Sequence, residues 1–141
     1  MLVVLVRHAT AGDRAKWHDD DRLRPLDTRG RRQAAALPNV LAELPIHRIL
    51  TSPYVRCVQT VEPLAAALGI EIEEADALAE GTVRAGVLPL LSTAAAGTAL
   101  CTHGDVCHEL VGARRTPKGS VWVLDVGTRG VAPVRHIPAP G

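Results

Sequence analysis

The chain has 141 residues, the common size of one domain, and we expect a single domain over residues 1–141. Its 16 basic and 15 acidic side chains give a formal net charge of +1, which argues against a nucleic-acid polymer or an anionic membrane as a partner. No apolar run approaches the ~18 residues of a membrane span, and the N-terminal run lacks the features of a secretory signal. Three cysteines, an odd number, fit reduced thiols in a cytoplasmic protein.

The first segment is apolar, rich in valine and ends abruptly in charge. Residues 1–6 predict a strand buried on both faces, as in the middle of a parallel sheet. Arg7 and His8 follow at once, and packing does not explain them. Ligands of open α/β sheets bind beyond the carboxyl ends of the strands, so we expect these two side chains at a ligand site.

A loop and a helix come next. Residues 9–27 have no periodicity, and long loops in compact domains are often functional. Asp27 is predicted to cap a helix that begins at Thr28 and is kinked or split at Pro38.

A second strand and its helix follow. Residues 48–51 predict the strand, and Ser52 and Pro53 predict the N-cap and the first residue of a helix. This helix should end at Gly69, with a kink at Pro63.

The second half repeats this alternation. We expect, in order, an exposed strand at 70–73, an irregular stretch at 76–86, a helix near 85–96, a buried strand at 98–102, a short helix to Val111, and two strands at 121–126 and 131–137. Strands that alternate with helices predict an α/β sheet, parallel at its centre, with an antiparallel edge from the last pair.

Three junctions between a strand and a helix carry the same kind of side chain. They hold Arg7 with His8, Arg56 on the first turn of its helix, and His103. If the strands are parallel neighbours, these groups converge at one edge, where helix N-termini add N–H donors. Guanidinium forks match phosphoryl oxygens, and neutral imidazole is a nucleophile, so the pattern indicates phosphoryl transfer.

The leaving group of such a reaction needs a proton. Glu80, in an irregular stretch after the third strand, is the best-placed acid in the sequence. Asp13 and Asp105 are weaker candidates.

Four segments, in this order, resemble the motifs of the histidine phosphatase superfamily, which includes the phosphoglycerate mutase-like enzymes. They are Leu5–Thr10; Pro25–Gly30 with Gln33 and Ala34; Thr51–Pro53 with Arg56, Gln59 and Thr60; and Cys101–Gly104. The family's usual glycine after the first histidine is Ala9 here, a small-for-small change.

The resemblance implies a three-layer α/β/α fold, mostly parallel with an antiparallel edge, and a metal-independent phosphatase without a cofactor. It further implies that His8 forms a phosphohistidine while Arg7, Arg56 and His103 hold the phosphoryl oxygens. Gly104 and Thr10 are then expected to contact the substrate. Glu80 matches the family's proton donor only by its position.

Within the superfamily, the short length and the Arg24-Pro25-Leu26 segment resemble small bacterial phosphohistidine phosphatases. Segments such as Lys118–Ser120 are closer still to the phosphatase-like domain fused behind Nudix hydrolases in some actinobacteria, although this chain has no Nudix segment. The expected partner is a phosphohistidine protein or a phosphorylated small molecule such as a nucleotide. A module of the same fold that binds phosphorylated ligands without turnover is the alternative.

Other patterns have plainer interpretations. A zinc site at Cys101, His103, Cys107 and His108 is disfavoured because the last two are adjacent on a helix and point about 100° apart. The run Asp19–Asp21 with the arginines after it predicts a solvated, self-paired surface, or else a basic rim that steers substrate. Trp17 and Tyr54 are candidates for stacking on a substrate or for ordinary loop packing.

Overall fold

Six strands and four α-helices alternate along the computed structural model, which describes residues 1–141. The strands are β1 (Leu2–Arg7), β2 (Arg48–Thr51), β3 (Ile72–Glu74), β4 (Thr98–Thr102), β5 (Val121–Gly127) and β6 (Gly130–Ile137). The helices are α1 (Thr28–Val40), α2 (Val55–Leu68), α3 (Arg84–Thr93) and α4 (Gly104–Val111).

The six strands form one sheet in the order β3-β2-β4-β1-β5-β6. The first four are parallel neighbours, whereas β5 is antiparallel to β1 and β6 is antiparallel to β5. The predicted parallel centre and antiparallel edge are confirmed. Helices cover both faces of the sheet, which makes the fold the expected three-layer α/β/α type.

The two faces of the sheet bury separate cores. On one face Val3 and Leu5 pack with residues of α3 and α4, and on the other Val4 and Val6 pack with residues of α1 and α2. Alternate side chains of a strand point to opposite faces, so a run that is apolar throughout is what a sheet covered on both sides requires.

The first helix begins as predicted but is not split. Asp27 caps α1 by accepting a hydrogen bond from the backbone N–H of Gly30 at 2.7 Å. The helix continues through Pro38 to Val40, so of the two predicted outcomes, a kink or a split, the split is wrong. Buried Leu37 and Leu41 pack the last turn against the sheet, which offsets the one hydrogen bond that the proline lacks. The second helix likewise continues through its proline.

The start of α2 differs from the prediction. Its N-cap is Tyr54 rather than Ser52, and Pro53 lies in the turn before the helix. Ser52 is fully buried, its N–H bonds to Cys101 of β4, and its hydroxyl oxygen accepts from the N–H of Tyr54, which is itself the N-cap.

Smaller differences concern the first and last residues of one strand and one helix. The third strand spans Ile72–Glu74 instead of 70–73, and α3 ends at Thr93, before the predicted end at 96. The irregular stretch contains one short 3-10 turn, Asp76–Leu78. None of the helices has both the length and the apolar character needed to cross a membrane.

Candidate active site

The candidate site lies where three parallel strands end side by side. β1 pairs with β4, and β4 pairs with β2, so the residues that follow these strands share one edge of the sheet. The structure therefore brings Arg7, His8, Arg56 and His103 together, as the spacing of the strands predicts.

His8 presents one ring nitrogen as a free base. Its side chain is buried, and Nδ1 lies 2.8 Å from the carbonyl oxygen of Ala9. A carbonyl only accepts hydrogen bonds, so Nδ1 carries the hydrogen and Nε2 keeps its lone pair. Burial lowers the pKa of His8 to about 3, and the nearby guanidinium charges of Arg56 and Arg7 act in the same direction, against the opposing effect of the Ala9 hydrogen bond. His8 is therefore neutral near pH 7.

His103 is oriented by a buried serine. Its ring centroid lies 5.4 Å from that of His8, and its Nε2 lies 2.8 Å from the Ser52 hydroxyl oxygen. The backbone N–H of Tyr54 donates to the same oxygen at 3.3 Å. Nε2 also lies 3.6 Å from Sγ of Cys57. When the Ser52 hydroxyl donates its proton to Nε2, a neutral His103 carries its own hydrogen on Nδ1.

Three buried nitrogens at the site have no hydrogen-bond partner. They are Nε of Arg7, Nε of Arg56 and Nδ1 of His103. The only other buried side-chain atom in this condition, Nε2 of His136, belongs to β6. A buried donor left unpaired costs about 1–3 kcal/mol, so three of them around one histidine indicate a site built for an anion.

Arg56 is fixed in place by Asp21. The guanidinium is fully buried, and it donates to the backbone oxygen of Asp21 at 2.8 Å and to its carboxylate at 3.1 Å. It also lies over the ring of Tyr54, 4.9 Å from the centroid. Asp21 therefore takes one N–H from each terminal nitrogen of Arg56, and Nε has no hydrogen-bond partner.

The acidic run is thus only partly a solvated surface. Asp20 pairs with exposed Arg22, as predicted, but Asp21 pairs with buried Arg24 and Arg56. Although burial acts to raise the pKa of Asp21, the hydrogen bond from Arg24 and the charge of Arg56 lower it. Nothing in the aperiodic sequence of this loop signals that Asp21 turns inward.

Arg7 packs against the first residue of α4. Its Nη1 donates to the backbone oxygen of Thr116 at 2.7 Å. A Cβ atom at Gly104 would lie 2.6 Å from the guanidinium carbon of Arg7, so glycine is what lets the guanidinium reach this position.

Thr10, expected to contact the substrate, does not line the pocket. Its hydroxyl donates to Asp27 at 2.7 Å, and its N–H donates to the side-chain oxygen of Gln33 at 3.0 Å. These bonds attach the loop after β1 to α1 and leave Thr10 a positioning role.

A pocket of about 970 Å³ opens in front of Arg7 and His8. The three candidate acids line it, but they differ in their contacts. Asp13 accepts from the N–H of Ala15, and Asp105 accepts from that of Gly81. Glu80 instead forms an ion pair with Arg14, Oε1 to Nη2 at 2.9 Å, and lies 3.6 Å from Nη2 of Arg56.

The structure does not support a zinc site, nor stacking of Trp17 or Tyr54 on a ligand in the pocket. No group of His, Cys, Asp and Glu side chains is arranged to hold a metal ion, and Cys101 and Cys107 are buried in the cores. Trp17 and Tyr54 do not line the pocket: Trp17 donates to the backbone oxygen of Asp20, and Tyr54 packs on His103 with ring centroids 4.6 Å apart. Four cations of the pocket are not predicted from the sequence: Arg14, Arg114, Arg115 and Lys118.

The sequence profile of the histidine phosphatase superfamily (branch 1) matches residues 3–89. The chain belongs to this superfamily. Among curated proteins it is 37% identical over 142 residues to an 8-oxo-(d)GTP phosphatase of Mycolicibacterium smegmatis, an alignment that covers 88% of this chain and 44% of the relative. It is 42% identical over 69 residues to an uncharacterised protein of Picosynechococcus, covering 48% of this chain and 41% of that one. The chain thus spans less than half the length of these relatives.

Solved structures of the superfamily share the fold. The protein histidine phosphatase SixA complexed with tungstate has a TM-score of 0.77 at 22% identity, covering 97% of this chain and 96% of that one. A mycobacterial glucosyl-3-phosphoglycerate phosphatase complexed with VO3 has a TM-score of 0.76 at 15% identity, covering 94% and 96%. At these identities the likeness establishes the phosphoglycerate mutase-like architecture alone.

Proposed function

We propose that this member of the superfamily is a phosphatase that works through a covalent phosphohistidine on His8. One observation carries the proposal: His8 offers a neutral Nε2 in the midst of three buried donors that have no partner, on Arg7, Arg56 and His103. A phosphoryl group bound there would satisfy all three donors and place phosphorus beside the nucleophile.

The reaction is proposed to run in two steps. In the first, the Nε2 lone pair forms a P–N bond as the P–O bond to the leaving group breaks, and the donors of Arg7, Arg56 and His103 stabilise the equatorial oxygens. In the second, water attacks phosphorus, the P–N bond breaks and phosphate leaves, so that His8 is again neutral. The guanidinium groups supply the positive charge that the transferring group needs, and we expect turnover to continue in the presence of a chelator.

Glu80 is proposed to give a proton to the leaving oxygen and to take one from the attacking water. Its support is position: it lines the pocket and its carboxylate reaches to 3.6 Å from Arg56. Its ion pair with Arg14 is the feature that favours the alternative, a module that binds phosphorylated ligands without turnover.

The proton-donor role has a direct test in the leaving group. Glu80→Gln should slow the hydrolysis of alkyl phosphates at least about tenfold more than that of p-nitrophenyl phosphate, because the aryl oxide leaves without a proton. Arg129→Gln, in the turn between β5 and β6, is the control and should change neither rate. Equal slowing of both substrates in Glu80→Gln would exclude this role.

The substrate is proposed to be a phosphorylated small molecule or a phosphohistidine protein. The name of the mycobacterial relative favours a nucleotide, and that of SixA favours phosphohistidine. Rates on a phosphohistidine protein, nucleotides and sugar phosphates would rank these classes. Absence of turnover on all of them, with phosphate binding retained, would favour the binding module.

Two further expectations belong to this proposal. We propose that residues 1–141 act as one domain, because β1 at the centre of the sheet pairs with β5 from the C-terminal part of the chain. A cytoplasmic location is proposed because all three cysteines are free and buried.

A further inference from the structure

Part of the pocket wall comes from the segment 112–119, between α4 and β5. Three cationic side chains of this segment line the pocket: Arg114, Arg115 and Lys118. None of them forms an ion pair with a carboxylate. The phosphohistidine chemistry at His8 does not use them.

Two other cations of the pocket do form ion pairs with carboxylates. Arg14 pairs with Glu80, and Arg24 pairs with Asp21. Six Lys and Arg side chains line the pocket against three acidic ones, so an excess of positive charge remains on the segment 112–119. Only two lining residues are apolar and none is Phe, Tyr or Trp, so the pocket selects by charge rather than by stacking.

The segment is attached directly to the nucleophile's own strand end. The Thr116 backbone oxygen accepts from Arg7 at 2.7 Å, and the N–H of Gly119 lies 3.0 Å from the backbone oxygen of His8. The backbone that carries its cations is therefore held relative to the phosphoryl site, and their side chains line the same pocket. Partial burial lowers the pKa of Lys118, and the charges of Arg7 and Arg24 act in the same direction, against that of Asp27.

We propose that Arg114, Arg115 and Lys118 form a second anion site, and that the substrate is a small molecule with two phosphate groups. One phosphate is transferred to His8 while the other contacts these cations. The inference rests on the proposed function and narrows its substrate class. A phosphohistidine side chain brings only one phosphoryl group and would leave the second site unfilled.

The binding of non-hydrolysable analogues tests the second anion site without turnover. Calorimetric titrations at fixed ionic strength would compare methylphosphonate, methylenediphosphonate and the longer propylenediphosphonate. The wild type should bind one of the two diphosphonates at least about tenfold more tightly than methylphosphonate. Preference for the methylene compound indicates a diphosphate, and preference for the propylene compound indicates a bisphosphate with separated groups.

Three variants test whether the preference for a diphosphonate depends on the pocket cations. Lys118→Gln and Arg115→Gln should each weaken diphosphonate binding about fivefold and methylphosphonate binding less. Arg129→Gln removes one positive charge away from the pocket and should change neither affinity. Equal affinity of the wild type for all three compounds, or equal losses for mono- and diphosphonate in both pocket variants, would overturn the second site.

The two proposals fail separately. If the chain binds a diphosphonate through Lys118 but hydrolyses no phosphate ester, the second site stands and the phosphatase proposal falls. If it hydrolyses p-nitrophenyl phosphate through His8 but shows no preference for a diphosphonate, the second site alone is refuted.

Discussion

A single hydroxyl, that of Ser52, is placed to favour the tautomer of His103 that carries its hydrogen on Nδ1. It is fully buried, it receives the N–H of Tyr54, and it lies 2.8 Å from Nε2 of the histidine. The hydrogen on Nδ1 is then available to a bound anion, so Ser52 acts as a positioning residue without touching the substrate.

Removing that hydroxyl should therefore damage turnover more than folding. Ser52→Ala is expected to lower kcat about tenfold on p-nitrophenyl phosphate, the effect of one lost hydrogen bond, because His103 is free to place its hydrogen on Nε2. Ser52→Thr keeps a hydroxyl and should recover most of the rate. A kcat in Ser52→Ala equal to that of the wild type would show that the serine has no part in orienting His103.

His8 also links stability to pH. Its pKa is about 3 in the folded chain and 6.5 in the reference state, so the unfolded chain takes up a proton at a pH where folded His8 does not. The folded state therefore loses stability as pH falls from about 6.5 towards 3.

The size of this effect can be measured by replacing the imidazole. Protonation of His8 in the unfolded chain should lower the free energy of unfolding of the wild type by about 1.4 kcal/mol for each pH unit below 6.5. The variant His8→Gln should lack this contribution to the pH dependence. Urea unfolding at pH 7.5 and pH 5 gives the comparison. An identical change in both proteins would mean that His8 is not buried as a neutral base.

At the scale of elements, the loop after β1 and the start of α1 are tied together at close range. The Asp27 N–H bonds to the Thr10 backbone oxygen at 3.1 Å, and a Cβ atom at Gly30 would lie 1.9 Å from that same oxygen. The obstructing atom is backbone, so no side-chain rotation relieves the clash. The loop carries Asp21 to Arg56, so this contact supports the site from outside it.

Gly30→Ala should consequently destabilise the chain by about 1–3 kcal/mol, despite the higher helix propensity of alanine. Gly127→Ala is the matched control, because nothing lies within 4 Å of its added Cβ. Chemical denaturation of both variants gives the two free energies of unfolding. Equal stability of Gly30→Ala and the wild type would contradict this packing.

At the scale of the whole molecule, the fold is predicted from the periodicity of apolar residues, and the position of the site is predicted from the residues at the strand ends. The alternation of apolar strands with helices predicts a parallel centre, and a parallel centre places Arg7, Arg56 and His103 at one edge. Asp21 and Lys118 are different, since each lies in a segment without periodicity. Their positions depend on long-range bonds such as that from Arg7 to Thr116, which are 109 residues apart, and no local pattern encodes them.

The same reason explains why the sequence predicts a helix cap at Ser52. The Ser-Pro pair is a normal local signal for a helix start, but the hydroxyl contacts His103, which follows β4 and lies 51 residues further along the chain. Tertiary contact overrides the local preference at the position where the site is assembled.

The central claim is that phosphate passes through His8, and trapping the intermediate tests it most directly. Wild-type protein mixed with p-nitrophenyl phosphate, quenched in base and digested should yield a peptide with one phosphoryl group on His8, and His8→Ala should yield none and release no p-nitrophenol. Full activity in His8→Ala, or phosphate trapped on a different residue of the active wild type, would contradict the account.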